Sequence, residues 1–224
     1  MGYSREFIAL NLRYAETAVA KTGIGFFEAV STLTCIKRTV LGAGFDGGTN
    51  GERLWKMFAQ NPGTNPAETI LLLQAQVPAR HKEENRVRSG ILSATLPDGD
   101  GLSLLHFSGD VGEANPLGEQ GLKRRAEEMA NLLRLLKDHG PVNIGMFSWL
   151  LDGRFSTLFP PETEYQDNPD QFFQSLAVWG QYLRADGSLN RERASVLITN
   201  SVHPKKVLQG RVPAESMYRM YHIS

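Results

Sequence analysis

Behind Ser4, the apolar residues Ile8, Leu12, Ala15 and Val19 follow one another at steps of four, three and four, which predicts a helix over about 5–21 closed by Gly23. Phe26, Ala29, Val30, Leu33, Cys35, Ile36 and Val40 give a second, broader helical stripe, and the two together predict a packed helical hairpin. The run GAGFDGGTNG (42–51) holds five glycines in ten positions and predicts a connection, not the interior of a helix or strand. A short helix carrying Trp55 and Phe58 follows. Asn65, Pro66 and Glu68 then supply a cap, a first-turn proline and a capping-box acid ahead of ILLLQAQ.

After Arg86 the pattern changes. RVRSGILSATL and LSLLHFSGDV flank the turn-rich PDGDG and predict a β-hairpin with strands near residues 87–96 and 102–109. Leu122, Ala126, Met129, Leu133 and Leu136 then mark one face of a long helix, which Gly140 and Pro141 end. The bounded apolar run VNIGMFSW predicts a buried strand over about 142–149, and the helix before it is the crossover that lets it lie parallel to the strand at 102–107. Further on, Asn168 and Pro169 predict a helix to about Arg184, ASVLITNSV predicts a strand over about 194–202, and PAESMYRMY predicts a short helix. The expectation is one α/β (α+β) domain spanning residues 1–224, with a helical part (1–80) and a mixed sheet with a crossover helix (86–224).

Composition narrows the picture. Lys+Arg 24 against Asp+Glu 24 leaves no net charge, so no global field favours nucleic acid or an anionic membrane. The segment MGYSREFIALNL carries charges at Arg5 and Glu6, and no apolar run approaches the roughly eighteen residues of a membrane span, so a cytoplasmic protein is expected. The single Cys35 pairs with nothing intramolecularly and, inside an apolar stripe, reads as a packed thiol. His81, His139, His203 and His222 are scattered without metal-ligand spacing, so no metal is expected. Lys205, Lys206, His203 and Arg211 form a local basic cluster whose default reading is a solvated face.

Two places carry candidate chemistry. In GDVGEANPLGEQG, glycines 109, 112, 118 and 121 stand where a strand ends and a helix begins, a place where free N–H groups and the helix dipole can hold a phosphate, although Asp110, Glu113 and Glu119 would repel one. Ser148, Trp149 and Asp152 close the predicted strand 142–149, and His106 lies on a strand predicted beside it. A histidine can act as base near neutral pH and a serine as nucleophile or hydrogen-bond donor, so this end of the sheet could move a proton or an acyl group.

The tract NPLGEQGLKRRAEEMANLLRLLKDHG followed by VNIGMF resembles the coenzyme A pyrophosphate segment of GCN5-related N-acetyltransferases, with LGEQGL where that family carries Arg/Gln-x-x-Gly-x-Gly/Ala. PVNIGMFSWLLDGRFSTLFPP, behind LLHFSGDVGEANPL, is similar to a GNAT-like acyltransferase C-terminal domain, and the likeness covers about residues 86–184. It implies a GNAT-like sheet, an acyl-coenzyme A donor and an unidentified amine acceptor, for which a small-molecule substrate is one candidate. It also implies Gly118, Gly121 and the N–H groups near Leu122 as the pyrophosphate site, His106 as base, Ser148 as donor and Tyr182 as a distant candidate for the acid that protonates the thiolate. The other reading is a non-catalytic binding or assembly module, since Phe172, Phe173, Trp179, Tyr182, Tyr218 and Tyr221 could equally serve a homo-oligomer interface.

Overall fold

A computed structural model describes residues 3–44, 49–77, 85–107, 117–167, 173–184 and 186–224. Helix α1 (Arg5–Thr22) begins where the Ser4 hydroxyl accepts from the N–H of Phe7, and it ends where Gly23, at φ 74°, sends its N–H back to Val19. Helix α2 (Phe26–Leu33) runs into a π-helical turn (Ile36–Val40). Helix α3 (Thr49–Gln60) carries Leu54 and Phe58 inward, and Asn65 caps α4 (Pro66–Gln74), which starts on the predicted proline. The chain continues through strands β1 (Arg86–Ser89), β2 (Leu92–Thr95) and β3 (Leu102–Phe107), helix α5 (Glu119–Lys137), and strands β4 (Asn143–Ser148) and β5 (Glu164–Asp167). Helices α6 (Leu176–Trp179) and α7 (Arg191–Asn200), strand β6 (Leu208–Pro213) and helix α8 (Ala214–Met220) complete it.

These elements divide into two compact units. The helical unit is Met1–Arg80 with Pro169–Lys205, and the sheet unit is His81–Asn168 with Lys206–Ser224. In the helical unit the buried Asn11 ties α1 to the end of α2. Its amide donates to the Phe7 carbonyl, while its Oδ1 accepts from both the N–H (3.2 Å) and the Sγ (3.4 Å) of Cys35. Burial pushes the Cys35 thiol far above its ordinary value, which makes it the inert packing group its surroundings predict.

The sheet unit is of the α/β class expected. Its six strands run in the order β1-β2-β3-β4-β6-β5, with every neighbouring pair antiparallel except β3 and β4. That parallel pair is joined by α5, the crossover a parallel connection needs. Leu92, Ala94, Leu105, Ile144, Met146 and Val212 from one sheet face meet Met129, Leu132, Leu133 and Leu136 of α5. Each such leucine, fully buried, contributes about 1.5–3 kcal/mol.

Four expectations are corrected. The strand near 87–96 is itself a tight hairpin, because Gly90 at φ 58° turns the chain between β1 and β2. Residues 194–202 are not a strand: 191–200 are α7, capped by Asn190, whose side chain accepts from the Arg193 N–H. There only Ala194 and Leu197, one helical turn apart, are buried, while the β-branched Ile198 and Thr199 face solvent. The helix expected over 169–184 is reduced to the single turn of α6 and a 3-10 turn (Gly180–Tyr182), its predicted start lying outside the described residues. Strands β5 and β6 have no counterpart in the sequence pattern. All four residues of β5 are exposed, so no alternation marks it, and β6 carries Gly210 at its centre, where a Cβ would stand 3.2 Å from both Leu151 Cδ1 and Tyr165 Cε1.

Candidate functional site

Strands β3 and β4 pair over Leu102–Leu104 and Asn143–Gly145. The register ends there, and among the described residues the last stretches of the two strands, through Phe107 and Ser148, are not paired with each other. Instead β3 turns its other edge to β2, with His106 opposite Ser93, and β4 pairs along its whole length with β6. The C-terminal end of such a parallel pair is where α/β folds place ligands.

Gly118 caps α5 from an extended conformation with no side-chain hydrogen bond, so the first-turn N–H groups have no side-chain acceptor from the cap. The first helical bond runs from Leu122 N–H to the Gly118 carbonyl at 2.8 Å. Gly121 is buried and Leu122 packs on the sheet-unit core, so these two seat the helix, while Gly118 stays partly accessible. Glu119, one position on, is exposed and pairs with Lys123 at 3.6 Å. Gly109, Asp110, Gly112 and Glu113 lie outside the described residues.

His106 and Ser148 do not converge. Cross-strand partners share a sheet face and successive residues alternate. With Leu104 opposite Gly145, His106 falls on the face of Leu104 and Phe147, whereas Ser148 falls on the face of Leu105 and Met146 that α5 covers. The Ser148 hydroxyl is buried and accepts from the N–H of Leu150 at 3.1 Å, which caps the 3-10 turn Trp149–Leu151. Asp152 accepts from the Lys206 N–H, and Trp149 packs against the core. The SWLLD segment is therefore a strand end locked by its own serine.

Tyr182 belongs to the helical unit. Its hydroxyl lies 2.8 Å from Nδ1 of His203 within a cluster of Tyr14, Phe173, Trp179 and Tyr182 whose ring centroids stand 5.4–5.8 Å from the imidazole. Burial drives the Tyr182 phenol well above its ordinary value and holds His203 down to about 4. At neutral pH both groups are therefore uncharged, and the hydroxyl and Nδ1 share one hydrogen bond whose donor is set by the imidazole tautomer. His203 is no part of a solvated basic face. Its pairing with Tyr182 escapes sequence reading because no motif spaces the two residues. The neighbouring lysines are also engaged, Lys205 through its N–H to Gln181 Oε1 and Lys206 through Nζ to Asp167.

Among the described residues no group of three or more His, Cys, Asp or Glu side chains is placed to hold a metal ion, and no helix is long and apolar enough to cross a membrane. No family model, no curated protein and no solved structure matches this chain.

Proposed function

We propose that the sheet unit is a GNAT-like acyltransferase module that takes an acyl-coenzyme A as donor and an amine as acceptor. The observation that carries this reading is the parallel β3–β4 pair, in register over Leu102–Leu104 and Asn143–Gly145 and bridged by a helix whose first turn lacks a side-chain cap. A pyrophosphate needs N–H donors and a favourable dipole end, which the start of α5 offers at Gly118. An extended arm containing amides needs a strand edge to pair with, and the facing edges of β3 and β4 beyond Leu104 and Gly145 are where this reading seats it. Strand β6, inserted between β4 and β5, covers the other edge of β4 along its whole length.

In the reaction the amine nitrogen attacks the thioester carbonyl carbon, the carbon–sulfur bond breaks, and the proton lost by the amine must be taken up while the thiolate gains one. Holding the two reactants side by side supplies much of the rate, and backbone donors facing the carbonyl oxygen stabilise the charge that develops there. His106 is the base this reading assigns, because it lies at the C-terminal end of β3 on the face away from α5. Ser148 keeps the strand end in place through Leu150 rather than meeting the reactants.

Calorimetry on the whole chain with coenzyme A and acetyl-coenzyme A tests the proposal. Saturable binding is expected, and Gly118→Asp should weaken it at least tenfold by setting a carboxylate where the phosphates would bind. Folding should be nearly unchanged, since Asp and Gly differ by only a few tenths of a kcal/mol at an N-cap. No affinity at millimolar ligand would end the acyltransferase reading and leave a binding or assembly module.

A further inference from the structure

The helical unit holds a cavity of about 350 Å³ that the sheet-unit chemistry does not use, lined by Lys37, Arg38, Ala43, Gly44, Glu52 and Gln174. Its wall is the π-helical turn Ile36–Val40, where the N–H groups of Val40 and Leu41 reach back five residues to the carbonyls of Cys35 and Ile36. Such a turn is rare and recurs at functional sites, because the wider winding redirects the side chains it carries. The surrounding backbone comes close enough to need glycine. A Cβ on Gly51 would collide with the Ala43 backbone nitrogen, and one on Gly44 would collide with Arg38 Cγ. Gln174 is anchored to the turn by the Thr39 hydroxyl, which donates to its carbonyl at 2.9 Å.

Among the described residues that line it, the charges do not balance. Lys37 is committed to Glu52, at 2.9 Å, and its ammonium also lies over the Trp55 ring, 5.9 Å from the centroid. The Arg38 guanidinium has no ion pair or hydrogen bond among the described residues, and neither has the Gln174 side-chain amide. One guanidinium and one amide thus stand ready beside a neutralised pair. A guanidinium is the group that binds a carboxylate or phosphate in two-point fashion, and the volume suits a small molecule, not a chain segment. Glu52 on the same wall disfavours a highly charged polyanion.

We infer that this cavity binds a small molecule through one carboxylate or phosphate group, held by the Arg38 guanidinium and the Gln174 amide, with the Lys37–Glu52 pair setting the charge it accepts. Inorganic phosphate and acetate, titrated into the whole isotope-labelled chain at constant ionic strength and followed by NMR, are the probes. Saturable shifts are expected for the amides of residues 37–44 and 51–52 and for the Gln174 side chain. The two anions tell a phosphate site from a carboxylate site by which binds tighter. Arg38→Gln should weaken binding about tenfold or more, and Glu52→Gln should strengthen it several-fold by freeing the Lys37 charge. Arg38 is exposed, so its variant keeps the fold, which circular dichroism verifies. Shifts that stay linear with concentration, an unchanged affinity in Arg38→Gln, or weaker binding in Glu52→Gln would each overturn the inference.

Discussion

In the helical unit Trp179 sits among Phe7, Tyr14, Tyr182 and His203, with its indole N–H bonded to the Phe173 carbonyl at 2.7 Å, and Asn11 and Gln181 are buried as polar ties between segments. In the sheet unit most of the core is aliphatic, with Met129, Leu132, Leu133 and Leu136 of α5 in one cluster with Leu105, Ile144 and Met146, beside the rings of Phe155 and Phe159 and one buried ion pair, Arg125 to Glu128 at 2.8 Å. The difference is one of proportion, since buried hydrogen bonds and ring contacts make up more of the helical unit's centre. Aliphatic burial tolerates small shifts in how the surfaces meet, whereas a buried hydrogen bond is satisfied in one geometry and leaves an uncompensated polar group in any other. Each unit is built from two chain segments, and in the helical unit these specific contacts join them, Thr39 to Gln174 and Tyr14 to Trp179 among them.

The largest expected effect probes the two centres against each other. Trp179→Ala should cost about 4 kcal/mol and Leu133→Ala about 3 kcal/mol in urea denaturation, the former exceeding the latter because it removes the indole hydrogen bond as well as ring contacts. A Leu133→Ala cost well above that of Trp179→Ala would reverse the comparison. The second effect belongs to the helical unit and depends on pH. His203 is held near 4 when folded against about 6.5 when unfolded, so the unfolded chain takes up the proton first as the pH falls through that window. Stability should decline from about pH 6.5 to about pH 4, by roughly 3 kcal/mol, and level off below. His203→Phe, which keeps the ring stacking and cannot titrate, should remove that slope, as measured by the difference between the two proteins' stability curves. An identical slope in the variant would show that other groups carry it. The smallest effect is a surface one. Arg5 and Glu68 pair at 3.0 Å with both side chains about half exposed, so Arg5→Gln should change stability by less than about 0.5 kcal/mol in the same denaturation assay.

Much of the sheet unit is legible in the order of its residues. The stripe of α5, its stop at Gly140 (φ 65°), the hairpin region and the parallel crossover to β4 all follow from spacing and turn residues close together in the chain. Less of the candidate site is legible in this way. The glycines at the start of α5 stand out, but that Gly121 and Leu122 serve packing does not. Nor does any pattern within β3 or β4 reveal that His106 and Ser148 face opposite ways, because that depends on the register Leu104 adopts against Gly145. His203 and Arg38 carry no motif. Only the arrival of Tyr182 at one and the π-helical turn beneath the other mark them as particular.

Caps, glycine stops and periodic stripes are properties of a few consecutive residues, so the amino-acid sequence alone determined α1, α4, α5 and the order of the β3–α5–β4 crossover. Residues 194–202 show where that reach ends. Val196, Ile198 and Thr199 have the propensity of a strand, yet the Asn190 cap, the Arg193 bond to the Gln181 carbonyl and the burial of Ala194 with Leu197 made them a helix. Strand β6 likewise exists because β4 and β5 offered it two edges and Gly210 let Leu151 and Tyr165 close over it. Propensities amount to tenths of a kcal/mol per residue, while tertiary burial and buried hydrogen bonds amount to whole ones. Wherever the two disagreed, packing between residues far apart in the chain decided the outcome.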